Sequence, residues 1–233
     1  MVTVIHVVFG SIALVAAPAA FFVRKGGTWH RRFGFGFGIA MGVVLLSAGF
    51  MWQEKGHFFL VPLGIVSGYL ILNGYRVVAR RRRRRASALQ DGIDVAASAV
   101  VIAAGFGAAA LGITAANPLL LSIRPALIGI GTIAICFGLN DVLGFYGPRL
   151  RNGWLLAHFA ALIAAYVSAV TAFVVINAHA VPMLLRWLVP SVIGGGTIVA
   201  YTLRVGGSAL PVAAATSRLR RFRLKLAQLL LFG

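Results

Sequence analysis

Residues 24–34 read RKGGTWHRRFG, a basic break between the apolar runs HVVFGSIALVAAPAAFFV at 6–23 and FGFGIAMGVVLLSAGF at 35–50. Each run is about as long as a bilayer-spanning helix requires, roughly 20 residues. The pattern then recurs along the chain, with apolar runs near 2–23, 34–52, 58–79, 93–115, 125–146, 154–177 and 183–203. These predict an all-α, polytopic transmembrane bundle of about seven spans. Composition agrees: 60% of the 233 residues are hydrophobic and 11% are charged, with a mean hydropathy of +0.94. A soluble domain carries about 25% charged residues, so a water-soluble fold is excluded.

The net charge of +18 would suggest nucleic acid in a soluble chain. Here the cations sit in the connections, so a nucleic-acid partner is not expected. Arg24, Lys25, Arg31 and Arg32 follow the first span, Arg80 to Arg85 the third, and Arg149 and Arg151 the fifth. Arg204, Arg218, Arg220, Arg221, Arg223 and Lys225 follow the seventh, while the alternate connections hold little beyond Lys55 and Arg124. Basic connections face the cytoplasm. The alternation therefore predicts the N-terminus outside, the C-terminus cytoplasmic, and residence in a bacterial inner membrane. It also accounts for the quoted loop without a ligand. The arginine run has a second reading, as a patch for anionic lipid headgroups.

The start has no cationic leader ahead of its first apolar run, so that run is expected to be retained. The single cysteine, Cys136, falls within a span and permits no internal disulfide. Residues 1–203 are expected to form one transmembrane domain, and 204–233 a basic tail. In that tail Leu219, Phe222, Leu226 and Leu229 share one helical face while Arg218, Arg221 and Lys225 share another. This is the pattern of a helix lying on the membrane surface. Small residues mark expected helix contacts, because lipid gives spans no hydrophobic drive to associate. Gly34, Gly38 and Gly42 share a face, as do Gly64 with Gly68, and Ala157, Ala161, Ala164, Ala165 and Ala172 give the sixth span a smooth side.

Few groups remain for chemistry. Of the acids, Glu54, Asp91 and Asp94 fall in or beside connections, and Asp141 lies within the fifth span beside Asn140. Counted from Pro125, Asp141 is about 24 Å along the span at ~1.5 Å per residue, near the cytoplasmic interface. An intramembrane acid is a proton- or substrate-site hypothesis by default. A structural ion pair to Arg76, Arg149 or Arg151 is the competing reading. The histidines divide by side, with His6, His57 and His179 towards the outer face and His30 and His158 towards the inner.

Histidines on facing helices are what an axially held haem needs. Arg31 and Arg32 would neutralise its propionates. Zinc would instead draw on His6, His30, His158 or His57. The plain alternative is that these rings sit at the wet interface and bind nothing. No hydrolase elbow, HExxH helix or carboxylate pair within one span is present, which leaves enzymatic activity open.

The first two spans and HFAALIAAYVSAVTAFVVIN at 158–177 resemble a bacterial family of polytopic membrane proteins carrying a domain-of-unknown-function label. The likeness rests on His6, Gly10, Lys25, Gly26, His30, Arg31, Gly34, His158, Thr171, Ala172, Phe173 and Asn177. It implies a membrane bundle and no particular activity. A looser likeness is to membrane b-type cytochromes. Those place two ligand histidines on one helix, which this chain never does, so the likeness implies at most one haem. It would be held by His30 with His158, or by His6 with His57 or His179.

Three functions follow as expectations: a b-type haem electron-transfer protein, a proton-coupled carrier using Asp141, Asn140 and Tyr166, or a non-enzymatic subunit serving a membrane protein partner.

Overall fold

The computed structural model describes residues 1–55, 61–82, 88–114, 116, 118–146 and 153–206. Among these residues it is all-helical: α1 (Val2–Phe22), α2 (Thr28–Lys55), α3 (Val61–Arg82), α4 (Ala88–Thr114), α5 (Pro118–Tyr146), α6 (Gly153–Asn177) and α7 (Met183–Gly206). All seven are long and apolar enough to cross a membrane. Their outer surfaces stay apolar: Val15, Leu46, Phe50, Val192 and Leu203 are each about 70% exposed, as expected where lipid and not water surrounds the bundle.

Helix ends depart from the sequence expectation where a charge or a proline was read as a boundary. α5 begins at Pro118 and carries Pro125 inside it. Proline at the first helical position forfeits a bond that would be unmade anyway. α4 begins at Ala88, so Asp94 lies inside a helix and is 6% exposed, not in a connection. The tail beyond Gly206, with its expected surface helix, lies outside the described residues, as do His57, Arg149 and Arg151.

Two antiparallel pairs, α1 with α2 and α4 with α5, flank a third, α3 with α6, on which α7 packs. Backbone meets backbone closely between α4 and α5. A Cβ on Gly131 would sit 2.5 Å from the Gly105 carbonyl oxygen and 2.8 Å from the Ala109 nitrogen, so only glycine lets these backbones cross. Of the expected glycine stripe on α2, Gly38 is the one pressed, by the Tyr75 ring. Gly34 and Gly42 meet nothing within 4 Å. On α6 the small side is used as expected, with Ala161 and Ala165 at 1% and 0% exposure.

Short polar stitches set the register between helices. Ser67 and Ser168 meet at 2.5 Å between α3 and α6, and Tyr75 donates to the Gly34 carbonyl on α2 at 2.5 Å. At the end opposite the basic connections, two arginines hold helix C-termini. Arg124 donates to the Gly112 carbonyl at 2.9 Å. Arg186 donates to Val175, His179 and Val181 carbonyls at 3.1, 2.7 and 2.6 Å. Both satisfy carbonyls that a helix leaves open at its last turn, where a cation also suits the dipole.

Candidate functional site

The α1–α2 connection is five residues long and sets the site. Val23 ends α1 in extended backbone, Gly26 turns the chain at φ +74°, and Gly27 donates back to Arg24 at 3.1 Å. A positive φ costs other residues ~1 kcal/mol or more. The tight reversal puts the start of α2 beside the end of α1, where the His30 Nδ1 lies 2.9 Å from the Ala20 carbonyl oxygen.

On the far side of the bundle's basic end, His158 is in the second turn of α6. Its Nδ1 lies 2.7 Å from the Gly74 carbonyl oxygen of α3. A carbonyl can only accept, so both rings donate from Nδ1. The two ring centroids are 6.5 Å apart with an interplanar angle of 69°. Residues 128 positions apart in the chain thus bring two backbone-anchored imidazoles together.

The rings line a cleft of about 1330 Å³ bounded by α1, α2, α3, α6 and α7. That exceeds the ~300–1,000 Å³ typical of small-ligand pockets. Its walls are aromatic and aliphatic: Phe21, Tyr75, Phe159 and Leu162 near the rings, and Val167, Val170, Ile193 and Gly194 beyond them. From Trp154 to Val170 the cleft follows α6 for roughly 24 Å at ~1.5 Å per residue. Phe159 and Tyr201 stack at 3.8 Å to close one wall between α6 and α7.

Two cations, Lys25 and Arg31, line the cleft at the basic end. Lys25 donates to the Phe21 carbonyl and lies 4.3 Å over the Phe21 ring. Partial burial holds its ammonium below the ordinary lysine value. Arg32, expected beside Arg31, instead stacks on Trp29 at 5.2 Å and does not line the cleft. Lys25 is the cation the sequence reading passed over. Its signal was its spacing, five residues before His30 across a turn that folds back.

The remaining candidates are elsewhere. His6 Nδ1 is 2.9 Å from Ser47 Oγ, and Ser47 spends its own proton on the Val43 and Val44 carbonyls, so His6 donates. No second described histidine faces it, and Gly10, the expected flat surface below it, is met by Val44. His179 is exposed in the α6–α7 turn. No group of three or more His, Cys, Asp or Glu arranged for a metal occurs among the described residues.

Asp141 belongs to a separate polar node joining α3, α4 and α5. Tyr69 and Asn73 both donate to its Oδ2. Arg76, expected as its partner, pairs with Asp94 Oδ1. Arg80 lies 3.1 Å from Asp94 Oδ2 and donates to Asn73 Oδ1 at 3.0 Å. Asn140 is exposed. No protein family, no curated protein and no solved structure matches this chain.

Proposed function

We propose that this chain is a membrane b-type haem protein, with one haem held between His30 and His158 and used for electron transfer. The observation that carries this reading is the imidazole pair. Two histidines that would hold one haem iron must bring their rings close together from facing helices. The rings stand 6.5 Å apart. Their Nδ1 bonds to Ala20 and Gly74 carbonyls are the outer contacts that fix a ligating histidine's tautomer and raise its basicity.

The surroundings support the same group. A largely apolar cleft excludes water from a macrocycle, and Lys25 and Arg31 at its basic end suit two propionates. The N-termini of α2 and α6 also open at that end, and helix N-termini favour negative charge. In this reading the basic end is cytoplasmic by the positive-inside rule, in a bacterial inner membrane, with the arginines after α3 and in the tail against anionic headgroups.

The test is an absorption spectrum of the purified protein, oxidised and dithionite-reduced, from cells grown with haem available. A Soret band with sharpened α and β bands on reduction is expected. His30→Ala and His158→Ala abolish it, and His6→Ala leaves it. A featureless spectrum from folded protein refutes the reading. A proton-coupled carrier is the second reading, favoured by the Asp141 node alone; it predicts pH-dependent uptake abolished by Asp141→Asn.

A further inference from the structure

The polar node holds a feature that its ion pairs leave over. Asp94 is 6% exposed, and its Oδ2 has no hydrogen-bond partner among the described residues. Arg80 is near enough for charge attraction at 3.1 Å but off the line a hydrogen bond needs. A small cavity of about 10 Å³ adjoins it, lined by Tyr69, Asn73, Arg76, Asp94 and Ser98. That is close to the ~10–15 Å³ one water requires, provided two to four polar partners surround it.

The partners are present and wrongly spaced for each other. Tyr69 Oη and Ser98 Oγ are 3.5 Å apart, too long for a good O–H···O bond at ~2.7–2.8 Å, a separation at which a bridging water is the natural question. Tyr69 gives its own proton to Asp141, so its oxygen is open as an acceptor. Ser98, 1% exposed, has a hydroxyl proton to place. A metal cation is disfavoured there, because Arg76 borders the cavity and Arg80 stands behind Asp94.

We propose that this cavity holds one ordered water, donating to Asp94 Oδ2 and Tyr69 Oη and accepting from Ser98, along which a proton passes between Asp94 and Asp141. Asp94 is ion-paired with Arg76 and Arg80, so the path begins with a proton arriving on Oδ2 from outside the node; the water takes it and hands one of its own to the Tyr69 oxygen. The Tyr69 hydroxyl proton moves to Asp141 Oδ2. The water and the phenol each break one O–H bond and form one and are regenerated, the O–H bond lost at Asp94 Oδ2 is matched by the one gained at Asp141 Oδ2, and no electron moves. Arg76 and Arg80 on α3, Ser98 on α4 and Asn73 stay in place as the fixed charges and donors around the path. Nothing in this node depends on the haem reading, since the cleft and the cavity share no lining residue.

Infrared difference spectroscopy of the full chain in nanodiscs, across a pH step in ordinary water and in oxygen-18 water, tests it. The wild type is expected to show an isolated water O–H band that shifts with the isotope. A carboxyl band, assigned by its loss in Asp141→Asn, should change in the same step. Tyr69→Phe, which keeps the ring, should remove the water band's response and uncouple the Asp141 band from it. Absence of any isotope-sensitive isolated band in wild type overturns the proposal without needing a variant to fold. A water band and an Asp141 band that both persist unchanged in Tyr69→Phe overturn the path.

Discussion

Substituting Gly131 by alanine adds one methyl where α4 and α5 cross. That Cβ would stand 2.5 Å from the Gly105 oxygen and 2.8 Å from the Ala109 nitrogen, and ordinary contact begins near 3.4 Å. Both obstacles are backbone, so no side chain can swing away, and the helices must part by about 0.9 Å, the difference between 3.4 and 2.5. Overpacking of this kind costs ~1–3 kcal/mol. Gly129→Ala is the matched control, because it lies on the same helix and meets nothing within 4 Å. Alanine's helix advantage over glycine, ~0.5–1 kcal/mol, enters both substitutions and cancels in their difference. The two variants should therefore differ by the overpacking alone, roughly 5- to 150-fold in unfolding equilibrium. Titration from mild detergent into sodium dodecyl sulfate, followed by circular dichroism or proteolysis, measures it. Equal stability of the two variants, or a more stable Gly131→Ala, would refute the crossing as described.

Arg186→Ala removes donors from three carbonyls, Val175 in the last turn of α6 and His179 and Val181 in the connection that follows, and should cost ~2–3 kcal/mol, at about 1 kcal/mol per bond; the same titration checks it, with Arg186→Lys recovering part. A double-mutant cycle of Ser67→Ala and Ser168→Ala should give a coupling of ~0.6–1.7 kcal/mol, the range of interhelical hydrogen bonds in membranes. A cycle at zero would mean the hydroxyls do not meet. Gly26→Ala should lose ~1 kcal/mol through its positive φ and, if haem is bound, loosen it by displacing His30. Lys25 is held below the ordinary lysine value by burial, so the unfolded chain binds more protons just below that value. Stability should accordingly rise with pH as the ordinary lysine value is approached, and Lys25→Gln should flatten that rise in a pH series of unfolding titrations.

Seven apolar runs were legible in the sequence because hydrocarbon imposes a length and a composition on whatever crosses it. Boundaries were less so where charge was read as solvent exposure. Asp94 looked like a connection residue, yet α4 begins a turn and a half earlier and Arg76 and Arg80 reach it from α3. The same assumption offered Arg76 to Asp141, whereas Arg76 pairs with Asp94 and the Tyr69 phenol and Asn73 amide meet Asp141. Small residues showed where helices could close up but not where they do. The α2 stripe is mostly unpressed and a close backbone crossing falls instead between Gly105 and Gly131, because closeness depends on two faces and a sequence displays one at a time. For that reason His30 and His158 could be named singly, and as one of several pairings, while their 6.5 Å approach arises only once α1, α2, α3 and α6 are assembled. Their anchoring to the Ala20 and Gly74 carbonyls had no sequence signal, since backbone acceptors are anonymous.

Three consecutive residues of α3 face three different neighbours. Asn73 donates to Asp141, the Gly74 carbonyl accepts from His158, and Tyr75 donates to Gly34. A helix advances about 100° per residue, so a small rotation of α3 degrades all three bonds together. Thermodynamic linkage then runs both ways: whatever factor a cleft occupant applies to the node's proton affinity through α3, protonation of the node applies to the occupant's affinity. Occupancy of the cleft beside His158 and a protonation beside Asn73 would share one mechanical degree of freedom, with α3 as the shaft between them.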